Sequence, residues 1–298
     1  MTTTVWRFSD GKAGHDTQSR GLLRALQERV TVSAFNIPVK QSGGGFWPWL
    51  SGNYRYGARL PVPDLLIGAG HATHWSLLAA RRCWGGRAIV LMKPSLPLCW
   101  FDLCLVPEHD GPLQAANVLP TLGSLNSIRP CPGHDADIGL IILGGPSRHY
   151  RWDNEEILTQ LERLVGERPL KKWWLTTSRR TPESMRRRLL DRAEFQCVPY
   201  ASTDSDWLSA RLSEAGEVWV SEDSVSMIYE TLTAGAQLGL LKVQRGKENR
   251  ITSAVDALVE RGWVGAPGQW RLAAGPGQVL NEAARCADWI KDQWLVNH

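Results

Sequence analysis

The sequence lacks the cysteine patterns that mark metal-binding and disulfide-stapled domains. Its six cysteines are scattered, with no C-x-x-C pair and no zinc-finger spacing. This excludes a zinc ribbon and a dithiol redox site. The pattern is typical of reduced thiols in a cytoplasmic protein, and we expect neither a bound metal nor another cofactor.

Long apolar runs are also missing. No stretch approaches the roughly 20 residues that a membrane-spanning helix needs. The first residues, MTTTVWRFSDGKAGHD, turn polar too early to form the apolar core of a signal peptide. The sequence therefore predicts a cytoplasmic chain, for which any membrane contact would be peripheral.

Neither sign of charge is in strong excess. The net charge is +4 over 298 residues, which is too mild to indicate nucleic-acid binding, and no nucleic-acid-binding motif is present. A small positive excess suits anionic ligands such as nucleotide phosphates, or an anionic membrane surface. The length and the ordinary hydrophobic content allow one large or two medium globular domains.

The dinucleotide-binding fingerprint G-x-G-x-x-G is absent from the loop after the first predicted strand, SDGKAGHD. The loop instead places His15 beside Asp16 at the carboxyl end of a strand, where open α/β sheets bind ligands. His15 is therefore a candidate general base, with Asp16 or Asp10 orienting it. The alternative is that His15 and Asp16 only cap the following helix.

A second glycine loop follows the predicted strand at 65–67, in the segment LLIGAGHATH. His71 and His74 lie three residues apart, but the sequence shows no third metal ligand near them. They either line the acceptor side of a cleft or pack within the core. With Gly14 and Lys93, which also follow predicted strands, they are the candidates for contact with an acceptor substrate.

Residues 41–63 are rich in glycine, proline and aromatic side chains, so the sequence predicts no regular element there. The large and basic side chains of this stretch are Trp47, Trp49, Leu50, Tyr54, Arg55, Tyr56 and Arg59. Two interpretations are open. The stretch either rests on an anionic bilayer or an amphiphilic acceptor, or folds over its own core.

Strands alternate with helices along the whole chain, which predicts parallel sheets. A linker at 129–137, RPCPGHDAD, separates two such halves. We therefore expect an acceptor-side domain at 1–133 and a second domain at 134–280. The amphipathic helix at 281–298 would pack back on the first domain.

In the second half, three consecutive predicted strands end in turns rich in hydroxyl groups and charge, at 144–148, 176–180 and 221–224. The carboxyl ends of parallel strands share one edge, so these turns should converge on a phosphate-bearing ligand. Ser224 is the predicted N-cap of a helix whose dipole favours phosphate, and Glu230 is placed to reach a ribose diol. The alternative is an ordinary αβ unit with a solvated acidic turn.

Five segments together resemble the mitochondrial-fission Elm family: SDGKAGHDTQSRGL, LLIGAGHATH, ILGGPSRHYRW, LTTSRRTP and VSEDSVSMIYETLTAG. That family is similar to two-domain GT-B glycosyltransferases, in particular to the transferase that adds N-acetylglucosamine in peptidoglycan lipid synthesis. The resemblance implies two Rossmann-like domains with a nucleotide-sugar in the cleft between them and a C-terminal helix crossing back. It also implies metal-independent chemistry at the inner face of the cytoplasmic membrane.

The resemblance also implies site roles. His15 would be a base or acceptor-side residue, the 144–148 turn would hold the donor phosphates, and Glu230 would hold the ribose. The nucleotide-sugar candidates are Gly144, Gly145, Ser147, Arg148, Ser178, Arg179, Ser221, Glu222, Asp223, Ser224, Ser226 and Glu230. The first loop departs from the compact glycine-rich histidine motif of the peptidoglycan enzyme, which leaves the acceptor open.

We therefore expect a transferase that moves a sugar from a nucleotide donor to a lipid-linked or cell-envelope glycan. A non-catalytic adaptor is the alternative, because the plant fission member serves as an adaptor for a dynamin-like protein. A nicotinamide-dependent nucleotide-sugar epimerase is disfavoured, since the chain lacks both G-x-G-x-x-G and a Tyr-x-x-x-Lys pair beside a catalytic serine.

Overall fold

The computed structural model describes residues 2–169, 171–204, 206–247, 249–272 and 279–295. The chain divides into two compact units, Met1–Ser127 with Asn281–His298 (unit 1) and Ile128–Leu280 (unit 2). Each unit contains a parallel sheet with helices, as the alternation of strands and helices predicts.

Unit 1 contains a six-stranded sheet in the order β2-β1-β3-β4-β5-β6, and every neighbouring pair is parallel. Its strands are β1 (Thr3–Ser9), β2 (Val32–Pro38), β3 (Leu65–Ala69), β4 (Arg87–Leu91), β5 (Leu103–Pro107) and β6 (Val118–Thr121). Leu65 and Ile67 of β3 enter one core cluster and Leu66 the other, because successive side chains alternate between the faces of a sheet. Both faces of this strand are thus buried.

The helices of this half are α1 (Ala13–Gln27), α2 (Phe46–Ser51) and α3 (His74–Trp84). The expectation of no regular element at 41–63 is wrong, because α2 and a 3₁₀ turn at Arg55–Arg59 lie there. Phe46 and Trp49 pack on Trp75 of α3, so tertiary aromatic packing outweighs the local glycine and proline content. Pro48 costs α2 no hydrogen bond, since the amides of the first turn have no intrahelical partner.

Unit 2 contains a five-stranded parallel sheet in the order β10-β9-β7-β11-β12. Its strands are β7 (Asp135–Ile142), β9 (Lys172–Thr176), β10 (Gln196–Val198), β11 (Ala215–Ser221) and β12 (Gln237–Leu241), with an antiparallel pair of β8 (Tyr150–Arg151) and β13 (Gln244–Arg245). Its helices are α4 (Asn154–Glu167), α5 (Glu183–Leu190), α6 (Trp207–Glu214), α7 (Val225–Ala234) and α8 (Arg250–Glu260). The predicted linker at 129–137 ends earlier than expected, since Asp135 pairs with Ala215 of β11 and so begins β7.

The last helix, α9 (Glu282–Ile290), packs on unit 1 and continues as a π-helical turn, Lys291–Leu295. Cys286, Ala287 and Ile290 lie in the same core cluster as the α1 leucines. Asp288 accepts two hydrogen bonds from Arg29, at 2.6 and 2.9 Å. Among the helices of the described residues, none combines the length and the apolar character that a membrane crossing requires.

Candidate functional site

The three polar turns of unit 2 meet at the carboxyl edge of its sheet, because β9, β7 and β11 are neighbours there. The Gly144 amide donates to Ser221 Oγ at 2.8 Å, and the Gly145 amide donates to Asp223 Oδ2 at 2.9 Å. A Cβ atom on Gly144 would lie 2.1 Å from Asp223 Oδ2, so no larger residue fits without displacing that carboxylate. The three turns are therefore packed and hydrogen-bonded together (the interlock) at the carboxyl ends of the strands, and we call this surface the unit 2 edge.

Arg180 joins all three turns. Its Nη1 donates to the Gly145 carbonyl at 2.6 Å, and its Nη2 lies 2.7 Å from Asp223 Oδ2 and 3.1 Å from Ser224 Oγ. Arg179, the predicted site residue, lies outside this network, with its guanidinium 6.0 Å from the Tyr200 ring. The adjacent arginines are equivalent in sequence, and only the packed turn distinguishes them.

Ser178 and Thr181 complete the interlock from the turn after β9. The Ser178 hydroxyl donates to the Gly144 carbonyl at 2.9 Å, and its amide donates to Thr181 Oγ1 at 2.9 Å. Thr181 Oγ1 also bonds the Gly144 carbonyl. Ser178 is a predicted site residue that the structure uses to shape the edge.

Ser224 is the N-cap residue of α7, as predicted, but the expected side-chain hydrogen bond to the helix amides does not form. Its hydroxyl instead accepts from Arg180. Within the described part of the chain, the amides of Val225 and Ser226 in the first turn of α7 have no acceptor. These amides and the positive end of the helix dipole would stabilise an anion at this position.

Two carboxylates of the edge are neutralised internally. Glu222 accepts from the Val243 amide at 3.0 Å and from Arg245 Nε at 2.7 Å, and Arg245 also binds Asp256. Burial raises the pKa of Glu222 above its ordinary value, against the opposite influence of these two donors. Asp223 is likewise paired with Arg180, so each of the two carboxylates has a guanidinium partner, with Arg245 shared between Glu222 and Asp256.

Arg148 follows β7 and is exposed, with its Nε donating to His149 Nε2 at 2.8 Å. It has no carboxylate partner in the part of the chain that the structure describes. Ser147 Oγ accepts from the amides of His149 and Tyr150, so it shapes the turn. With Asp223 and Glu222 neutralised, Arg148 and Arg179 give the edge a surplus of positive charge.

Glu230 is a half-buried carboxyl on α7. Loss of hydration raises its pKa from 4.5 to about 7, and no neighbouring charge contributes to that shift. None of the described residues forms a hydrogen bond or ion pair with it. A carboxyl whose pKa is shifted by loss of hydration and that has no protein partner is a candidate for contact with a ligand.

At the carboxyl edge of the unit 1 sheet, His15 pairs with Asp10. The His15 Nδ1 atom lies 2.9 Å from Asp10 Oδ2, and the Asp10 side chain is buried. With Nδ1 protonated and donating to Asp10, the lone pair of Nε2 is left to accept a proton. Gly70, with φ +79°, packs against the imidazole, and a Cβ there would lie 2.3 Å from its Cε1 atom.

Asp16 is held elsewhere, although it was a predicted partner of His15. It bonds Arg7 at 3.0 Å and the Ser9 hydroxyl at 2.6 Å. Partial burial alone would raise the pKa of Asp16, but the bonds from Ser9 and Arg7 outweigh it and hold the pKa below its ordinary value. Neither His15 nor Asp16 caps α1, whose N-cap Lys12 makes no side-chain capping bond.

The structure separates the other acceptor-side candidates. Gly14 and His71 are exposed, whereas His74 is buried against Phe101 and burial lowers its pKa to about 4. His74 is thus a neutral core residue. Lys93 is exposed and donates to two backbone carbonyls at 3.3 Å. No group of three metal-ligating side chains occurs among the residues described.

Beside Lys93, unit 1 contains a cavity of about 440 Å³ near the carboxyl ends of β4 and β5. Leucine, proline and valine side chains form most of its wall, and Leu98 and Val106 lie on it. Cavities of this size hold small organic ligands in many proteins. The lining suits an apolar molecule with a negative charge near Lys93.

The family model for mitochondrial fission ELM1 matches residues 13–294. The chain belongs to this family. Comparison with curated proteins gives no significant match. The likeness of this ELM1-family chain to solved structures is one of fold rather than of sequence.

A protein assigned as a UDP-N-acetylglucosamine 2-epimerase from Listeria monocytogenes is 12% identical, with a TM-score of 0.56, over 98% of this chain and 88% of that chain. MurG of Acinetobacter baumannii is 14% identical, with a TM-score of 0.47, over 88% and 84% of the two chains. The predicted fold class is confirmed: this ELM1-family protein has the α/β fold of the GT-B type, with Rossmann-like units and a final helix on the first.

The interlocked edge generates a prediction for Gly144→Ala. The new methyl group would overlap Asp223 Oδ2 and Ser224 Oγ, so we expect the free energy of unfolding to fall by about 1–3 kcal/mol. Gly166→Ala is the matched control, since Gly166 lies in α4 with open space around it and alanine favours helix. Denaturant unfolding measures both variants, and equal stability of Gly144→Ala and the native protein would contradict the interlock.

Proposed function

We propose that this protein is a GT-B-type glycosyltransferase that binds a nucleotide-sugar at the carboxyl edge of unit 2. It transfers the sugar to a lipid-linked or cell-envelope glycan without a metal ion. The observation that carries the proposal is the convergence of three turns around a surplus of positive charge and the free amides of α7. A diphosphate is the ligand chemistry that matches this edge.

Two features of α7, its first-turn amides and the Glu230 carboxyl, would hold the donor. The amides of Val225 and Ser226 would bind phosphate oxygens, which a helix N-terminus stabilises by about 0.3–2 kcal/mol. Arg148 would add a charge-assisted bond of about 1.5–3 kcal/mol. Glu230 would accept hydrogen bonds from the two ribose hydroxyls, which the unpartnered carboxyl supports.

The transfer step needs a base and a stabilised leaving group. The Nε2 atom of His15 would take the proton of the acceptor hydroxyl while Asp10 holds Nδ1–H, and the freed oxygen would form a bond to the anomeric carbon. The bond between that carbon and the diphosphate oxygen breaks, and the electron pair leaves with the diphosphate. Arg148, Arg179 and the α7 amides would stabilise that charge in place of a metal.

The acceptor would be lipid-linked. The apolar cavity with Lys93 at its wall supports a hydrocarbon carrying an anionic group, which is the chemistry of a lipid phosphate. Such an acceptor would place the protein at the cytoplasmic face of the inner membrane. Uridine nucleotides are the first to test as donors, because the Listeria protein of the same fold is named for a UDP-sugar.

A specific observation favours a second candidate function. The amides of Gly144 and Gly145 already donate to Ser221 and Asp223, so the turn after β7 offers fewer hydrogen-bond donors to a phosphate than its sequence suggests. A non-catalytic adaptor that keeps the GT-B fold would need no such groups. It would bind a protein partner and would tolerate loss of Glu230 and Arg148.

Glu230→Gln tests the ribose role. Replacing a carboxylate acceptor by an amide should weaken nucleotide-sugar binding at pH 8 by about 10- to 100-fold, the equivalent of about 1.5–3 kcal/mol. The native protein should bind more tightly at pH 8 than at pH 6, because ionised Glu230 is the better acceptor and its pKa is about 7. The variant should show no such pH dependence.

Calorimetric titration at both pH values measures these affinities. The pH dependence of the free energy of unfolding provides an independent readout of Glu230 ionisation. Folded Glu230 keeps its proton between pH 4.5 and about 7, so its contribution to stability falls as pH rises through that window. The difference in stability between Glu230→Gln and the native protein should therefore shift in favour of the variant across the same window. Equal affinity of the two proteins at pH 8 would contradict the ribose role.

His15→Ala should abolish sugar transfer and leave nucleotide-sugar affinity unchanged, because His15 acts on the acceptor. Gly70→Ala should lower turnover at least about tenfold, since a Cβ there displaces the imidazole and a positioned base contributes 10²–10⁴-fold. Gly85→Ala is the matched control, with the same φ of +79° and open space around it. Release of nucleoside diphosphate with a lipid extract as acceptor source measures turnover, and normal turnover in His15→Ala would remove His15 from the mechanism.

A further inference from the structure

Three large apolar side chains of α2 project into solvent on unit 1. Phe46 is 45% exposed, Trp47 73% and Leu50 48%. We call these three side chains the aromatic face. An exposed tryptophan between two other exposed apolar side chains marks an interaction surface more often than a lone exposed leucine does.

Aromatic packing against the rest of unit 1 fixes the position of α2, which carries the aromatic face. The Trp49 ring stacks on Trp100 with ring centres 5.1 Å apart, and Trp75 of α3 contacts Phe46 edge-on at 5.2 Å. Gly44 approaches α3 so closely that a Cβ atom would lie 2.2 Å from Ser76 Oγ. Binding through the aromatic face would therefore need little ordering of the chain, which favours affinity.

The chain segment that contains the aromatic face carries basic side chains and no acidic ones. Residues 39–63 contain no aspartate or glutamate, whereas Lys40, Arg55 and Arg59 are all exposed. The Arg82 guanidinium lies 5.8 Å from the centre of the Trp49 ring. A partner for this surface must therefore offer negative charge next to an apolar region.

We propose that the aromatic face inserts into the headgroup region of an anionic lipid bilayer, with the exposed cations of the same segment against the lipid phosphates. Tryptophan favours the membrane–water interface, and arginine and lysine favour an anionic leaflet. A bilayer supplies apolar depth and negative charge over its whole surface, whereas a protein partner would need an acidic rim around an apolar pocket. Membrane contact would bring the protein to its lipid-linked acceptor, and in this respect the inference rests on the proposed function.

Vesicle sedimentation tests the proposal with the full chain. The native protein should bind vesicles of phosphatidylcholine mixed with phosphatidylglycerol much more strongly than vesicles of phosphatidylcholine alone. Phe46→Ser/Trp47→Ser should lower the partition coefficient on the mixed vesicles at least about tenfold, since binding scales with the buried apolar area. The matched control is Leu190→Ser, which removes a side chain that is 56% exposed on α5 of unit 2 and should leave binding unchanged.

A charge-reversal variant tests the cations separately. Arg55→Glu/Arg59→Glu should lose the preference for anionic vesicles, whereas Lys172→Glu/Arg187→Glu, an equal charge change on unit 2, should retain it. Thermal unfolding midpoints equal to that of the native protein show that each variant is folded. Nucleotide affinity, measured on the same variants, should not change, which separates failure of membrane binding from failure of the proposed transferase.

Two results would overturn the proposal. One is equal partition of the native protein and Phe46→Ser/Trp47→Ser on the mixed vesicles. The other is that the native protein binds no vesicle but binds a purified acidic protein, and that Phe46→Ser/Trp47→Ser abolishes this protein–protein binding. That second outcome would assign the aromatic face to a protein partner.

Discussion

The ion pair between Arg180 and Asp223 is the interaction on which the unit 2 edge depends. The Asp223 side chain is fully buried, and a buried carboxylate without a cation costs several kcal/mol. Its second oxygen, Oδ1, has no partner within the described residues, so the charge is compensated through Oδ2 alone. Because Arg180 also holds the Gly145 carbonyl and the Ser224 hydroxyl, one guanidinium determines where all three turns lie.

The same pair also sets the electrostatics of the edge. It pairs the charge of Asp223, and Arg245 pairs that of Glu222. Of the residues that the structure describes, the exposed arginines without a carboxylate partner then determine the sign of the charge at the unit 2 edge. The pair also occupies the Ser224 hydroxyl, which leaves the first amides of α7 without an acceptor. An edge that looks acidic in the sequence is therefore suited to an anion in the folded protein.

Close packing against glycine recurs in both units. In unit 2, Gly144 lets the Asp223 carboxylate approach the backbone, and in unit 1, Gly70 lets the His15 imidazole lie against the chain. In both places a methyl group would displace a side chain of the candidate site. Both glycines thus leave space that a neighbouring side chain occupies.

Strand alternation and apolar periodicity were sufficient to predict the parallel sheets and the convergence of three turns, because both follow from local pattern and chain order. Tertiary contacts determined the features that local pattern did not predict. Aromatic packing on Trp75 creates α2, burial makes His74 a core residue, and Arg180 takes the Ser224 hydroxyl away from its capping role. Neither spacing nor propensity distinguishes Arg179 from Arg180, since only the folded turn directs one of them inward.

The most direct test of the account is thermal unfolding of the native protein with the uridine, guanosine, adenosine, cytidine and thymidine diphosphates and their sugars. A ligand at 100 times its dissociation constant stabilises the folded state by about 2.7 kcal/mol. We predict that one nucleotide raises the unfolding midpoint with increasing concentration, while its nucleoside without phosphates does not. If no nucleotide shifts the midpoint of the folded protein, the unit 2 edge is not a donor site and the adaptor function takes its place.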